Sequence, residues 1–175
     1  GGISFDRYYR YKEINEYLDS LPESNKNIVV KNVGKSYEGR DIKTVTITNG
    51  DGRKKNSVFI DAGIHAREWI APATALYLID QLTDSNSNLS KLLEKVDFVI
   101  HPLVNPDGYE FTFNFYRLWR KTRSRNGVNC SGVDANRNYD FHWHEVGSSN
   151  NKCAETYHGP KAFSEKEATI SGDLM

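Results

Sequence analysis

The segment GIHAREW, residues 63 to 69, sets three ionisable side chains into a run that is otherwise apolar, with SVFIDAG before it and IAPATALYLI after it. His65 and Glu68 stand three residues apart. On a tight turn, an imidazole nitrogen and a carboxylate oxygen at that spacing can reach one metal ion, and zinc suits such a mixed donor set. A catalytic zinc takes three protein ligands and leaves one position open for water, whose pKa it lowers toward neutrality. The same pair admits a structural reading, in which His65 caps a loop and Glu68 favours the positive end of the following helix. Spacing alone does not separate the two.

Arg67 lies beside the pair, and Arg117, Arg120 and Arg137 follow, with Asn136 adjoining Arg137. Guanidinium groups bind carboxylates in bidentate fashion, and an asparagine amide adds a neutral donor. Any one of these arginines could equally be a solvated surface residue. Of the other histidines, His101 ends an apolar strand and reads as a satisfied core or edge residue. His142 and His144, two apart, would share a face if they lay on a strand, and could then complete a metal site with His65. His158 lies in the turn YHGP and reads as structural.

The elements that must position these groups follow from the apolar pattern. Tyr11 to Leu21 has helical spacing, with Pro22 expected to end it. NIVVKNV and IKTVTIT, joined by the turn-rich GKSYEGRD, predict a hairpin. SVFIDAG predicts a short strand, and Trp69 to Leu82 a helix apolar almost all round, with Pro72 tolerable only in its first turn. Leu89 to Lys95 predicts a shorter helix, VDFVIHPLV a strand, and NPDG the turn that closes it. Ser164 and Glu167 form a capping-box pattern where a further helix should begin. Strand, helix, strand in that order implies a right-handed crossover and a partly parallel sheet, with ligands beyond the carboxyl ends of its strands. His65, Arg67 and Glu68 fall there.

At 175 residues the chain suits one domain, and no repeat or linker divides it. Its 23 basic and 23 acidic side chains give no net charge, which argues against a nucleic-acid or membrane-surface partner. No apolar run is long enough to cross a bilayer. GGISFDRYYR has no signal-like apolar core, so a targeting segment is expected to have been removed or to lie upstream. Cys130 and Cys153 flank a loop rich in Gly, Ser and Asn. They are either two buried thiols or a disulfide. A disulfide would contribute roughly 3.5 kcal/mol on the chain-entropy model and imply an oxidising compartment. Asn88-Leu89-Ser90 and Asn129-Cys130-Ser131 fit the acceptor pattern for N-glycosylation, a short pattern that recurs by chance.

GIHAREW, NPDGYE, RLWRKTRS, GVDANRNYDFHW and CAETYHGPKAFSE, in that order and together with GKSYEGR, resemble zinc metallocarboxypeptidases of the pancreatic A/B type. The resemblance runs from Phe5 to about Glu167. It implies an α/β fold, a mixed, partly parallel twisted sheet with helices on both faces. It also implies one Zn2+ per complete domain, with His65 and Glu68 as the first two ligands, carboxypeptidase A itself being a standard example of the two-histidine, one-glutamate set. By the same resemblance Arg120 polarises the scissile carbonyl, Asn136 and Arg137 hold the substrate's terminal carboxylate, and Arg67 and Arg117 line the approach. Cys130 and Cys153 match the family's disulfide. The implied reaction is hydrolysis of the last peptide bond of a peptide or protein with a free C-terminus, by a secreted, extracellular enzyme that is monomeric when complete.

The resemblance also exposes a departure. The family's third zinc ligand, its closing tyrosine and its general-base glutamate lie beyond Met175. Residues 1–175 therefore read as the N-terminal portion of a single peptidase domain, with ATISGDLM drifting from the helix expected there. Alone they are expected to be inactive, to bind zinc weakly and to leave a sheet edge unpaired. The alternative is a non-catalytic truncated form that binds peptide ends or does nothing.

Overall fold

Ile14, Leu18 and Leu21 form the buried stripe of α1, Tyr11–Ser24, in a computed structural model that describes residues 3–175. Gly1 and Gly2 of the N-terminal GGISFDRYYR lie outside the described residues. Pro22 sits inside α1 and does not end it. So near a helix end its missing N–H removes one bond only, and the chain closes with Asn25 N–H on the Leu21 carbonyl at 3.1 Å.

The predicted hairpin forms, with β1 Ile28–Lys35 antiparallel to β2 Asp41–Ile47. Strand β3, Asn56–Asp61, leads through GIHARE into α2, Ile70–Thr83, and the chain returns in β4, Val96–His101, parallel to β3. Because β4 also pairs antiparallel with β2, the sheet is mixed, in the order β1-β2-β4-β3. The expected crossover is present, and β3 is an open edge among the described strands. The helix expected over 89–95 is a 3-10 helix, Asn88–Glu94, capped where the Ser87 hydroxyl accepts from Leu89 N–H.

Helices cover both faces. Val45, Ile47, Phe98 and Ile100 share a core with Ile14 and Leu18 of α1 and Ala75, Leu76, Ile79 and Leu82 of α2. Alternation along β4 turns His101 to the other face, where its register partner Asp61 meets Ser171 of α4, Lys166–Leu174, at 3.5 Å. Helix α2 is not apolar all round in its packing. Ile70 and Tyr77 are 64% and 48% exposed, so only one face enters the core.

Three further expectations are corrected. NPDG is not a closing turn but the start of α3, Pro106–Asn114, with Asn105 as its cap. Asn has the side-chain acceptor a helix start needs, and Pro suits the first helical position. The capping box at Ser164 does not form, because the Ser164 hydroxyl donates to the Glu165 carboxylate; α4 begins one residue later and continues through ATISGDL as helix. His101 is fully buried, yet neither ring nitrogen has a hydrogen-bond partner among the described residues, so it is a core histidine without satisfaction. Burial alone lowers its pKa to about 4. No helix among the described residues is long and apolar enough to cross a membrane.

Candidate metal centre

Three segments converge where β3 and β4 end, and asparagine and glycine residues let them do so. Buried Asn105 caps α3 by accepting from Gly108 N–H at 3.0 Å. Its amide meanwhile donates to the carbonyls of Ile64 and Lys121. Gly108 is required by close approach. A Cβ there would lie 2.7 Å from the Lys121 carbonyl and 2.8 Å from Ala66 Cβ. The Ala66 N–H donates to the Arg120 carbonyl at 3.0 Å, which fixes GIHARE against RLWRK. From the other side, buried Asp107 accepts from the Ser36 hydroxyl, Glu38 N–H and Arg40, binding GKSYEGR to the start of α3.

On this frame His65 is buried and Glu68 half exposed, and His65 Nδ1 lies 3.2 Å from Glu68 Oε1. His65 Nε2 lies 3.1 Å from Oδ1 of Asp134, a residue the sequence reading passed over. Asp134 is wholly buried, and Arg120 donates to its Oδ2 from Nη2 at 2.9 Å and Nε at 3.2 Å. The Asn136 N–H donates to Oδ1 at 3.1 Å. Burial would raise the Asp134 carboxyl, but the hydrogen bonds from His65 and Arg120 more than offset it and hold it below the ordinary range. Asp134 is therefore a carboxylate, and Nε2 must donate to it. Nδ1 then faces the Glu68 carboxylate at hydrogen-bond distance, a gap that either a proton on Nδ1 or a metal ion can bridge.

Zinc fits that pair. One imidazole nitrogen and one carboxylate oxygen are two of the ligands a catalytic zinc uses, and a carboxylate on the far ring nitrogen is the usual support of a zinc-bound histidine. Among the described residues no group of three or more His, Cys, Asp or Glu side chains is placed to hold a metal ion. His142 and His144 do not supply a third donor. Both have left-handed backbone conformations in a turn, not a strand, and His142 faces Glu145 at 2.9 Å while the His144 ring packs on His158. His158 is buried, with Nδ1 2.8 Å from the Gly159 carbonyl, as a structural residue would be.

The arginines fall into three settings. Arg120 joins His65 through Asp134, as described. Arg137 and Asn136 line a cleft of about 280 Å³ with Tyr139, Trp143 and His144, where Arg137 Nε donates to the Gly147 carbonyl. Arg67 and Arg117 sit together: Arg117 stacks on Trp69 at 3.7 Å and donates to the Arg67 carbonyl. Arg67 pairs with Glu155 at 3.2 Å. Cys130 and Cys153 form a disulfide, with Cα atoms 5.1 Å apart.

A model of the zinc carboxypeptidase family matches residues 14–175. Zinc carboxypeptidase A 1 of Anopheles gambiae is 47% identical over 169 residues, 95% of this chain and 39% of that protein. Carboxypeptidase B of Astacus astacus is also 47% identical, over 94% of this chain and 55% of its own length. Among solved structures, thrombin activatable fibrinolysis inhibitor superposes with a TM-score of 0.92 at 35% identity, over 97% of this chain and 44% of that one. The chain thus spans about two fifths to just over half of the relatives it matches.

Proposed function

This chain belongs to the zinc carboxypeptidase family, and from that membership we propose that the protein hydrolyses the C-terminal peptide bond of polypeptides. The observation that carries the reading is the His65 Nδ1–Glu68 Oε1 pair, 3.2 Å apart and braced through Asp134. His65 and Glu68 would hold the zinc. When bound, that ion supplies Lewis acidity and a water of lowered pKa.

The chain's own residues do the rest. Asp134 fixes the His65 ring and keeps its proton on Nε2. Arg120 spends one edge of its guanidinium on Asp134 and keeps Nη1 free to donate to the oxygen of the scissile carbonyl as charge develops there. Asn136 and Arg137, side by side on the cleft, hold the terminal carboxylate, while Arg67 and Arg117 shape the approach. Only a chain end satisfies that clamp, which makes the activity exopeptidase. The disulfide suits an oxidising compartment, and the reading includes secretion and action on peptides outside the cell as a monomer. For the 175 residues taken alone, the presence of two donors favours the second reading, a form that binds peptide ends without cleaving them.

Matched peptides ending in a free carboxylate and in an amide test the clamp in the full-length protein. The free acid should be cleaved faster by on the order of 100-fold, the worth of a roughly 3 kcal/mol charge-assisted hydrogen bond. Equal rates would remove Asn136 and Arg137 from substrate recognition.

A further inference from the structure

Two segments match the N-glycosylation acceptor pattern, and neither takes part in the proposed chemistry. The fold treats them differently. Asn88 opens the 3-10 helix Asn88–Glu94, where its Oδ1 accepts from Lys91 Nζ at 3.1 Å. The hydroxyl of the same acceptor triplet, Ser90, donates to the Ser87 carbonyl at 2.7 Å. The Asn88 carbonyl oxygen and the Ser90 hydroxyl are thus engaged in local structure, although Asn88 is exposed and its amide nitrogen makes no hydrogen bond among the described residues.

Asn129 lies in an excursion from the body, closed at its base by the bridge between Arg125 and Ser131 and by Asn126 N–H on the Cys130 carbonyl. The Asn126 side chain donates to the Gly132 carbonyl at 2.6 Å, and Gly132 N–H to the Ser124 carbonyl at 2.7 Å, so the base is fixed. The tip is open. Asn129 is exposed, Val128 is fully exposed, and neither the Asn129 amide nor the Ser131 hydroxyl hydrogen-bonds within the described residues. An exposed turn with both recognition groups free is what the modification needs before folding ends and tolerates afterwards, because a bulky, hydrated glycan must remain in solvent.

The structure assigns Asn129, and not Asn88, as the site of an N-linked glycan. The inference rests on the secretory reading above, since both the glycan donor and the Cys130–Cys153 disulfide belong to that route. In the transfer the Asn129 amide nitrogen attacks the anomeric carbon of a lipid-linked oligosaccharyl diphosphate. The C–N bond forms, the C–O bond to the diphosphate breaks, the lipid diphosphate leaves, and the amide proton passes to a base of the transferase.

The test is peptide mapping of the protein isolated from its natural source, digested without reduction and treated with an N-glycosidase in heavy-oxygen water. The expected result is isotope-labelled aspartate at position 129, unmodified Asn88, and a peptide cross-linked through Cys130 and Cys153. An intact cross-link with unlabelled Asn129, or label at Asn88 alone, would overturn the assignment and leave the secretory reading standing. Free thiols at both cysteines would overturn the two together. In a secreted recombinant full-length protein, Asn129→Gln and Ser131→Ala should each abolish the glycosidase-sensitive gel shift, and Asn88→Gln should not. A shift that survives both of the first two variants would sink the inference, whatever their yield.

Discussion

At the scale of single residues, the centre is organised by a side chain that does not touch the proposed metal position. His65 and Glu68 were legible because their relation is local: three residues on one turn suffice to bring them together. Asp134 was not, because its contact with His65 spans 69 residues and exists only once VDANRN has folded back under GIHARE. The available signal was chemical. A zinc-ligating histidine needs a carboxylate or carbonyl on its other nitrogen, and the aspartate two residues before Asn136 was a candidate within a motif already singled out. Asp134→Asn keeps the shape and removes the charge that Arg120 and His65 share. In the full-length protein, zinc affinity measured by competition with a chromogenic chelator should fall about 10- to 100-fold. Unfolding by urea should show a loss of on the order of 3 kcal/mol, because the Arg120 guanidinium loses its buried partner. Unchanged zinc affinity would mean that Asp134 does not orient His65.

At the scale of elements, the sequence revealed the sheet and its two flanking helices because period-two and period-3.6 patterns are local, but it misassigned the pieces that start with turn-forming residues. Asn, Pro, Asp and Gly form turns, and they also start helices. What makes Asn105–Gly108 a helix start is Asp107, bound by GKSYEGR, and Asn105, bound to two other segments. Neither partnership shows in spacing. Helix α4 carries a similar long-range feature. Glu167 is fully buried against the sheet, with Oε1 accepting from Tyr37 N–H at 3.1 Å and Oε2 without a partner among the described residues. Burial pushes its carboxyl up to about 7. Between the ordinary carboxylate range and about pH 7, the folded chain keeps a proton that the unfolded chain has released, so this group's contribution to stability falls as pH rises through that window. Glu167→Gln retains an oxygen for Tyr37 and should remove the penalty. Wild type and variant should be nearly equal in urea denaturation at pH 5, and the variant should be more stable at pH 8 by roughly 3 kcal/mol. The comparison must be a difference, because buried His101 acts in the opposite sense, losing stability as pH falls from 6.5 toward about 4. A pH-independent difference would rule out a buried proton on Glu167.

At the scale of the whole molecule, the 23 basic and 23 acidic side chains balance, so no net charge on these residues assists the centre and its strength depends on its donors. Structural zinc sites in small peptides bind with apparent free energies of about 10–16 kcal/mol from four ligands, or on the order of 3 kcal/mol per ligand. A centre with His65 and Glu68 but no third donor should therefore bind on the order of 100-fold more weakly than a three-ligand site, before any cost of holding Glu68, which is half exposed, in place. The 175 residues, refolded with the disulfide closed and dialysed against a chelator, should retain well under one equivalent of zinc by atomic absorption and should not turn over a peptide with a free C-terminus. One equivalent surviving dialysis would require a third donor from within these residues. Since His142 and His144 are held in a turn away from His65, such a donor could come only from a rearrangement, which a changed near-ultraviolet circular dichroism spectrum on zinc addition would report. Zinc retention with an unchanged spectrum would contradict the two-donor centre itself.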